Sequence, residues 1–511
     1  MLRKYPIGLQ NFRKIREGGY LYIDKTEVIH RLVTTGSYYF LSRPRRFGKS
    51  LLVDTIEELF KGSEALFEGL WIHDQWDWSK KNPVIKLSIS KISYQKLGLY
   101  DALSQEVDIQ AESLDVVLTK TDLKSKFWEL IEKTATHIGK VVVLVDEYDK
   151  ALIDYLGDTE QLEENRSVFK QFYSVLKDAD EHIRFLLLTG VSRFSKVSLF
   201  SDLNNLRDIT LSNPFGTIAG ITQAELERDF AQELAALQLE NPDILEDIRE
   251  WYNGYTWDSR KTRVYNPFSL LNFMADPVFR NYWYATGTPT FLFEQLRLRQ
   301  LADMDGVRAT ANRLSDFNTD QLDMASLLFQ TGYLTIRKEL VPHQHFELGY
   351  PNREVRESFL EGLLNVYREP IQPDSADLTL DLKTALAAYD VPAMINALNA
   401  LLGVIPYDHW RADRESIFTI ITVLAFKMAG GEVYSEVHSA KGRCDVLVKT
   451  AAYIYVIEVK LDGTAQEALD QIERQHYLQP YADDRRTKVA LGISFSSETR
   501  VVSEYLVEEN F

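Results

Sequence analysis

Three short stretches carry residue types suited to phosphate chemistry. The first, "RPRRFGKS", runs from Arg43 to Ser50 and ends in Gly48-Lys49-Ser50. A glycine there lets the backbone approach phosphate, a lysine reaches β and γ oxygens, and a serine hydroxyl suits Mg2+. In "KVVVLVDEYDK" the apolar run Val141 to Val145 leads into Asp146 and Glu147. One carboxylate of such a pair holds the Mg2+ of an ATP complex, and the other polarises a water for attack on the γ-phosphate. In the third stretch Asp445 precedes Glu458, Val459 and Lys460. Side chains alternate along a strand, so Glu458 and Lys460 share a face, and a neighbouring strand brings Asp445 beside them. Two hard carboxylates with the Val459 carbonyl make an oxygen cage for Mg2+ or Mn2+, while the ammonium orients a water or steadies a pentavalent phosphate.

These residues need elements to hold them. "GSYYFLSR" before the first loop is aromatic and β-prone, and "SLLVDTIEELFKG" after it spaces Leu51, Leu52, Ile56, Leu59 and Phe60 as a helix does. The loop therefore lies between a strand and a helix whose N-terminus adds a positive dipole end. A full Walker pattern would have glycine where Arg43 stands, so the turn must be made by another geometry, with Arg43 and Arg46 expected to supplement Lys49 near phosphate. Five apolar residues in a row before Asp146 predict a strand buried on both faces of a parallel sheet. A third apolar strand, "IRFLLLTGVSRFS", ends at Thr189, which reads equally as a sensor of a γ-phosphate or as a plain strand end, with Arg193 just beyond it as a candidate to stabilise phosphate charge and a contact with protein as the default. Asn253, Gly254, Asn266 and Pro267 read as turn formers, and Trp251, Tyr255, Trp257 and Trp283 as packing aromatics.

From Arg414 the predicted order is helix, three strands, helix and strand, the αβββαβ order of a restriction-endonuclease-like core. The spacing D-x(12)-E-x-K arises readily by chance, yet Glu458 and Lys460 end an otherwise apolar strand, where charges are costly unless they serve a metal or each other. Glu436, on the strand before Asp445, and Glu415, at the start of the first helix, are further metal-carboxylate candidates. Gln471 sits on the following helix, where resemblance to related nucleases implies a glutamine near the site, and Tyr477 is expected in the core. Lys441, Arg443, Arg485, Arg486 and Lys488 are placed to meet phosphate, with solvated surface as the default for each.

A chain of 511 residues with 45% hydrophobic and 26% charged residues calls for several folded domains. The boundaries expected are a P-loop domain over 1–220, a mainly helical lid over 221–340, a linker with adaptor helices over 341–400, and a nuclease-like domain over 401–511. The first residues lack an apolar signal core, and the greasiest helical run, Ile417 to Ala425, is too short to span a bilayer, so no membrane partner is expected. A single cysteine, Cys444, excludes an internal disulfide and suits a reducing cytoplasm. The net charge of −17 argues against a surface that binds nucleic acid all over and leaves a local basic groove as the means of contact.

The stretches "YPIGLQNFRKI", "YLYIDKTEVI", "LLTGVSRFS", "LNNLRDITL", "WYNGYTW", "VYNPFSLLNF", "YWYATGTPTFL", "LLFQTGYLTI" and "LGYPNREVR" occur in this order. With "GRCDVLV", "IYVIEVK" and "ALDQIERQHY" they resemble the bacterial and archaeal AAA-ATPase-like family that carries a PD-(D/E)XK nuclease domain at its C-terminus. The resemblance covers nearly the whole chain and implies that Arg43 is the family's usual form of the loop. It also implies ATP and Mg2+ as cofactors, metal-dependent phosphodiester cleavage, and a prokaryotic role around mobile elements or defence. The expected partner is nucleic acid, DNA ahead of RNA, with self-association left open. The alternative keeps the ATPase as a switch and makes the nuclease-like fold a non-cleaving binding or scaffold module.

Overall fold

The computed structural model describes residues 3–192, 205–258, 262–283, 290–299, 304–315, 323–342, 344–366, 375–403, 415–430, 432–438 and 443–509. The chain forms two units, one from Met1–Thr286 with Asp305–Val355, the other from Gly287–Met304 with Arg356–Phe511. This division differs from the four consecutive segments expected. Most of the expected lid belongs with the P-loop core, and the expected adaptor helices belong with the C-terminal sheet.

The first unit is built on five parallel strands: β1 (Tyr38–Ser42), β2 (Val84–Ser88), β3 (Val141–Asp146), β4 (Ile183–Gly190) and β5 (Arg207–Asp208). Their order is β2-β3-β4-β1-β5, so the strand carrying Asp146 lies one strand away from the strand that feeds the loop. Every residue of β1 and β3 is buried, as the unbroken apolar runs predict for strands covered on both faces. Helix α1 (Lys49–Phe60) follows β1 directly across the loop and buries Leu52, Val53, Ile56, Leu59 and Phe60.

The expected helical middle is partly β. Strand β6 (Ile221–Thr222) pairs antiparallel with β7 (Val264–Tyr265), and β8 (Arg308–Thr310), β9 (Thr335–Val341) and β10 (His345–Gly349) form an antiparallel sheet in the order β8-β10-β9. "TIRKELV" hid this strand because its outer half is polar and partly exposed, which blurs a two-residue alternation. Helix α2 (Pro267–Ala275) starts on Asn266, whose side chain accepts from Phe268 N and Ser269 N. Helix α3 (Arg353–Asn365) begins in the first unit, and the chain passes into the second at Arg356.

In the second unit α4 (Ser375–Ala388), α5 (Val391–Gly403) and α6 (Glu415–Met428) share one apolar core with a five-stranded sheet. Its strands are β11 (Glu432–His438), β12 (Arg443–Lys449), β13 (Tyr453–Leu461), β14 (Thr487–Phe495) and β15 (Val502–Glu509), in sequential order. Only β13 and β14 run parallel, joined through helix α7 (Ala465–Arg474). The αβββαβ order is therefore present, with β15 added at the edge. Leu469 and Ile472 of α7 pack with Leu447, Ile454 and Val456 of the sheet, covering the face opposite to α4–α6. Gly492 allows this close approach, since a Cβ there would lie 2.4 Å from the Ala465 carbonyl oxygen.

Candidate active sites

At the head of α1, Gly48 adopts φ 87°, a conformation strained for any other residue, and a Cβ built on it would meet no atom within 4 Å. The backbone is thus open on the side where a phosphate-binding loop presents itself. Lys49 is buried, and its Nζ donates to the carbonyls of Arg43 at 2.8 Å and Pro44 at 2.9 Å. Burial lowers the pKa of this ammonium, and Asp146, Asp149 and Glu147 work against that fall. Ser50 follows in the first turn of the helix.

The β3 acids stand where the sequence places them. Asp146 is buried at the strand end and accepts from Thr189 Oγ1 at 2.6 Å, so the expected carboxylate and the expected sensor hydroxyl are in direct contact. Glu147 follows at φ 53°, in the left-handed region, a strained state for glutamate that costs of order 1–3 kcal/mol and is concentrated at functional sites. Asp149 belongs to the same cluster and was not anticipated. It is buried, and its Oδ2 accepts from Val191 N (3.0 Å), Ser192 N (2.6 Å) and Ser192 Oγ (2.7 Å), which ties the turn after β3 to the end of β4. Burial raises its pKa against the pull of these donors. The signal was available as the last acid of "DEYD". Gly190 makes room for it, since a Cβ there would lie 2.7 Å from Asp149 Oδ1 and 2.6 Å from the Tyr148 ring.

Arg43 does not meet the expectation that it joins Lys49 near phosphate. Its side chain is almost fully buried and turned into the protein, donating to the carbonyls of Ser42 (2.8 Å), Thr210 (2.9 Å) and Phe215 (3.3 Å). The guanidinium lies 4.4 Å from the Trp257 ring centre, and burial brings its pKa down to about 9. Arg46, in a left-handed conformation at φ 68°, places its guanidinium 4.6 Å from the Phe268 ring centre. Arg193 lies outside the described residues.

In the second unit Asp445 and Glu458 come together on adjacent strands. The register pairs Val446 with Ile457, and the Val459 amide donates to Asp445 Oδ2 at 2.9 Å. Glu458 is 1% exposed, and its Oε2 has no hydrogen-bond partner among the described residues. Burial first, and then the neighbouring Asp445, pushes its pKa up to about 7, against the pull of Lys460. Lys460 Nζ donates to Glu458 Oε1 at 3.3 Å and to Gln471 Oε1 at 2.8 Å, and Gln471 Nε2 donates to Glu458 Oε1. Gln471 reaches the site because α7 packs tightly over Gly492. Tyr477 is buried nearby, as expected of a core residue. Ser435 pairs with Val446 and Val437 with Cys444, so Glu436 occupies the strand position opposite Asp445. The side chains of Glu436, Glu415 and Arg443, and all of Lys441, lie outside the described residues. Arg486 pairs with Asp484, and Lys488 donates to the Asp484 carbonyl, whereas Arg485 is exposed.

Residues 6–200 match the family model described as a predicted AAA-ATPase, and residues 413–505 match the PD-(D/E)XK nuclease superfamily. A protein of Azotobacter chroococcum mcd 1, named "Uncharacterized protein in vnfD 5'region", is 39% identical over 522 residues that cover 99% of each chain. The chain belongs to the AAA-ATPase-like family with a C-terminal PD-(D/E)XK domain. A structure of the Aeropyrum pernix ORC1 protein in complex with DNA aligns over 83% of this chain and 89% of its own, at 10% identity and a TM-score of 0.25. That similarity is too slight to bear on fold or function. Nucleotide and divalent metal ions are the cofactors of the two domain families, and both donor sets fit them. The AAA-ATPase-like unit offers an open glycine backbone, a lysine, a serine and a buried Asp146–Thr189 pair. The PD-(D/E)XK domain offers two carboxylates, one with a buried oxygen that has no donor among the described residues. No helix among the described residues is long and apolar enough to cross a membrane.

Proposed function

We propose that the chain is an ATP-controlled, metal-dependent nuclease acting on nucleic acid, DNA ahead of RNA. The observation that carries the nuclease half is Glu458: a buried carboxylate with an unpartnered oxygen is costly in a fold unless a cation completes it. Asp445 and Glu458 would hold Mg2+ or Mn2+, with Glu436 and the Val459 carbonyl as further candidates. The bound ion supplies Lewis acidity and a water of lowered pKa. Lys460, kept in place by Gln471 and Glu458, holds its ammonium where negative charge gathers on phosphate.

In the ATPase half Lys49 and Ser50 would meet the phosphates and the Mg2+, and Asp146, whose carboxylate accepts from Thr189, would hold the ion. Glu147, free of the strand geometry, orients the attacking water. ATP hydrolysis supplies the free energy that makes cleavage conditional. Prokaryotic defence or mobile-element biology is the setting that the family resemblance suggests.

The test incubates labelled linear, circular and single-stranded DNA, and RNA, with Mg2+ or Mn2+, with and without ATP. Glu458→Ala and Lys460→Ala are expected to lower cleavage by roughly 100-fold or more, and Lys49→Ala and Glu147→Gln to abolish ATP turnover. Undiminished cleavage by Glu458→Ala sinks the nuclease assignment, and undiminished ATP hydrolysis by Lys49→Ala sinks the other.

A further inference from the structure

Each residue between β1 and Gly48 is gripped by residues from the later part of the same unit. Arg43 stacks on Trp257. Pro44 lies against Gly332, where a Cβ would come within 2.6 Å of the proline ring. The Arg45 carbonyl accepts from Trp283 Nε1 at 3.3 Å. Arg46 covers Phe268, and Phe47 sits edge-on to both Tyr255 (4.7 Å) and Trp257 (5.1 Å). The aromatic signatures that bring no chemistry of their own thus form a collar around the phosphate loop.

One member of this collar, Trp283, and a residue bonded to it, Glu354, stand close to where the chain leaves the unit. Trp283 precedes the crossing at Thr286, and Glu354 precedes the crossing at Val355. They are joined: Trp283 N donates to Glu354 Oε1 at 2.7 Å. Glu354 is fully buried, the Trp283 amide fixes its Oε1, and its Oε2 has no hydrogen-bond partner among the described residues; the Ser269 hydroxyl and the Tyr282 main chain are the other polar groups beside it. On the loop side three successive carbonyls are engaged, those of Arg43 and Pro44 by Lys49 and that of Arg45 by Trp283. Were Lys49 to turn to a bound phosphate it would release the first two, giving the loop a second arrangement beside the carbonyl that Trp283 holds.

We propose that Trp283 and Glu354 relay the nucleotide state of the phosphate loop to the two chain segments that enter the nuclease unit. The relay is a form of regulation that rests on the ATPase and nuclease reading above. It needs no ligand of its own: the differential contact is the Arg45 carbonyl, and the transmitted displacement is that of the Trp283 main chain against Glu354.

The experiment uses the full chain with Mg2+ and a slowly hydrolysed ATP analogue. It reads hydrogen exchange in peptides covering 287–304 and 356–366, together with nucleotide affinity. The parent is expected to show nucleotide-dependent exchange in both peptides. Trp283→Phe keeps a ring but loses the Nε1–H donor, and Glu354→Leu loses the acceptor. Both are expected to bind nucleotide within about threefold of the parent while the exchange difference falls to less than about a third. Glu354→Gln retains an acceptor oxygen and is expected to keep the parent's response, an outcome that a purely structural role would not separate from Glu354→Leu. The relay is overturned if Trp283→Phe responds as the parent does, or if the variants simply lose nucleotide binding. A parent that binds nucleotide without any change in either peptide overturns the relay and leaves the ATPase reading standing; a parent that binds none overturns both.

Discussion

Replacing Glu354 by glutamine should make the first unit more stable at high pH and leave it nearly unchanged at low pH. Burial pushes this carboxyl from its ordinary value of 4.5 up to about 7, and the Ser269 hydroxyl and the main chain of Tyr282 and Trp283 oppose the rise. Among the described residues, the phenols of Tyr252, Tyr255 and Tyr282 are the other titratable groups that feel its charge. Between pH 4.5 and 7 the folded state binds the proton that the unfolded state has lost, so stability is fully present below 4.5 and falls as pH rises through about 7. A rise of about 2.5 in pKa, at 1.36 kcal/mol each, amounts to about 3 kcal/mol at most. Glutamine fills the same volume, keeps an acceptor for Trp283 N, and has no charge to bury.

Thermal unfolding of parent and variant at pH 5.0, 7.0 and 8.5 reads the difference. For a unit of about 340 residues, 3 kcal/mol corresponds to a midpoint shift of roughly 4 °C. Glu458, whose carboxyl is raised to a similar value, titrates in both proteins and cancels in the comparison. The expected result is a variant-minus-parent shift of about +1 °C at pH 5.0 that grows to about +4 °C at pH 8.5. A shift that is constant with pH, or that is larger at pH 5.0, refutes the account of Glu354 as a carboxylate held in a site too dry for its charge.

Two further substitutions probe the packing that shapes the sites. Gly492→Ala would place a Cβ against the backbone of α7, costing roughly 1–3 kcal/mol and drawing Gln471 away from Lys460 and Glu458; the expected outcome is a lower melting midpoint for the second unit and slower metal-dependent cleavage, and unchanged cleavage would show that Gln471 does not position the site. Arg43→Gly, although it restores the common Walker glycine, should weaken ATP binding and lower stability by about 2–4 kcal/mol because three buried carbonyls lose their donor. Equal or tighter ATP binding by that variant would mean that the arginine is dispensable to the loop.

What could be read from the sequence was local. The apolar run of β3 announces a doubly covered strand, and strand parity puts Glu458 and Lys460 on one face. The direction of Arg43 could not be read that way, since a side chain leaving a turn goes where tertiary partners admit it, and those partners, Thr210, Phe215 and Trp257, lie far along the chain. The requirement for glycine at 190 and 492 was equally hidden. Neither has a positive φ, and each is demanded by atoms of a distant segment. Glu354 gave no sign of itself either, because "PNREV" reads as a helix start with an acid in its first turn, and its burial follows from the loops packed over it.

The substituted loop and the aromatic signatures explain each other. A Walker glycine turns freely, so its loop is held chiefly by the phosphate it binds. Arg43 has a large charged side chain at the same point, and leaving that charge buried requires carbonyl acceptors and an aromatic face. With Trp257 against its face and the Thr210 and Phe215 carbonyls accepting from its terminal nitrogens, the loop is tied to the rest of the unit at every residue from Arg43 to Phe47. In such a loop a movement of Lys49 off the Arg43 and Pro44 carbonyls would act on residues that the collar also holds. On the proposed relay, exchanging glycine for arginine trades freedom of the loop for coupling to the chain segments that lead on to Asp445, Glu458 and Lys460.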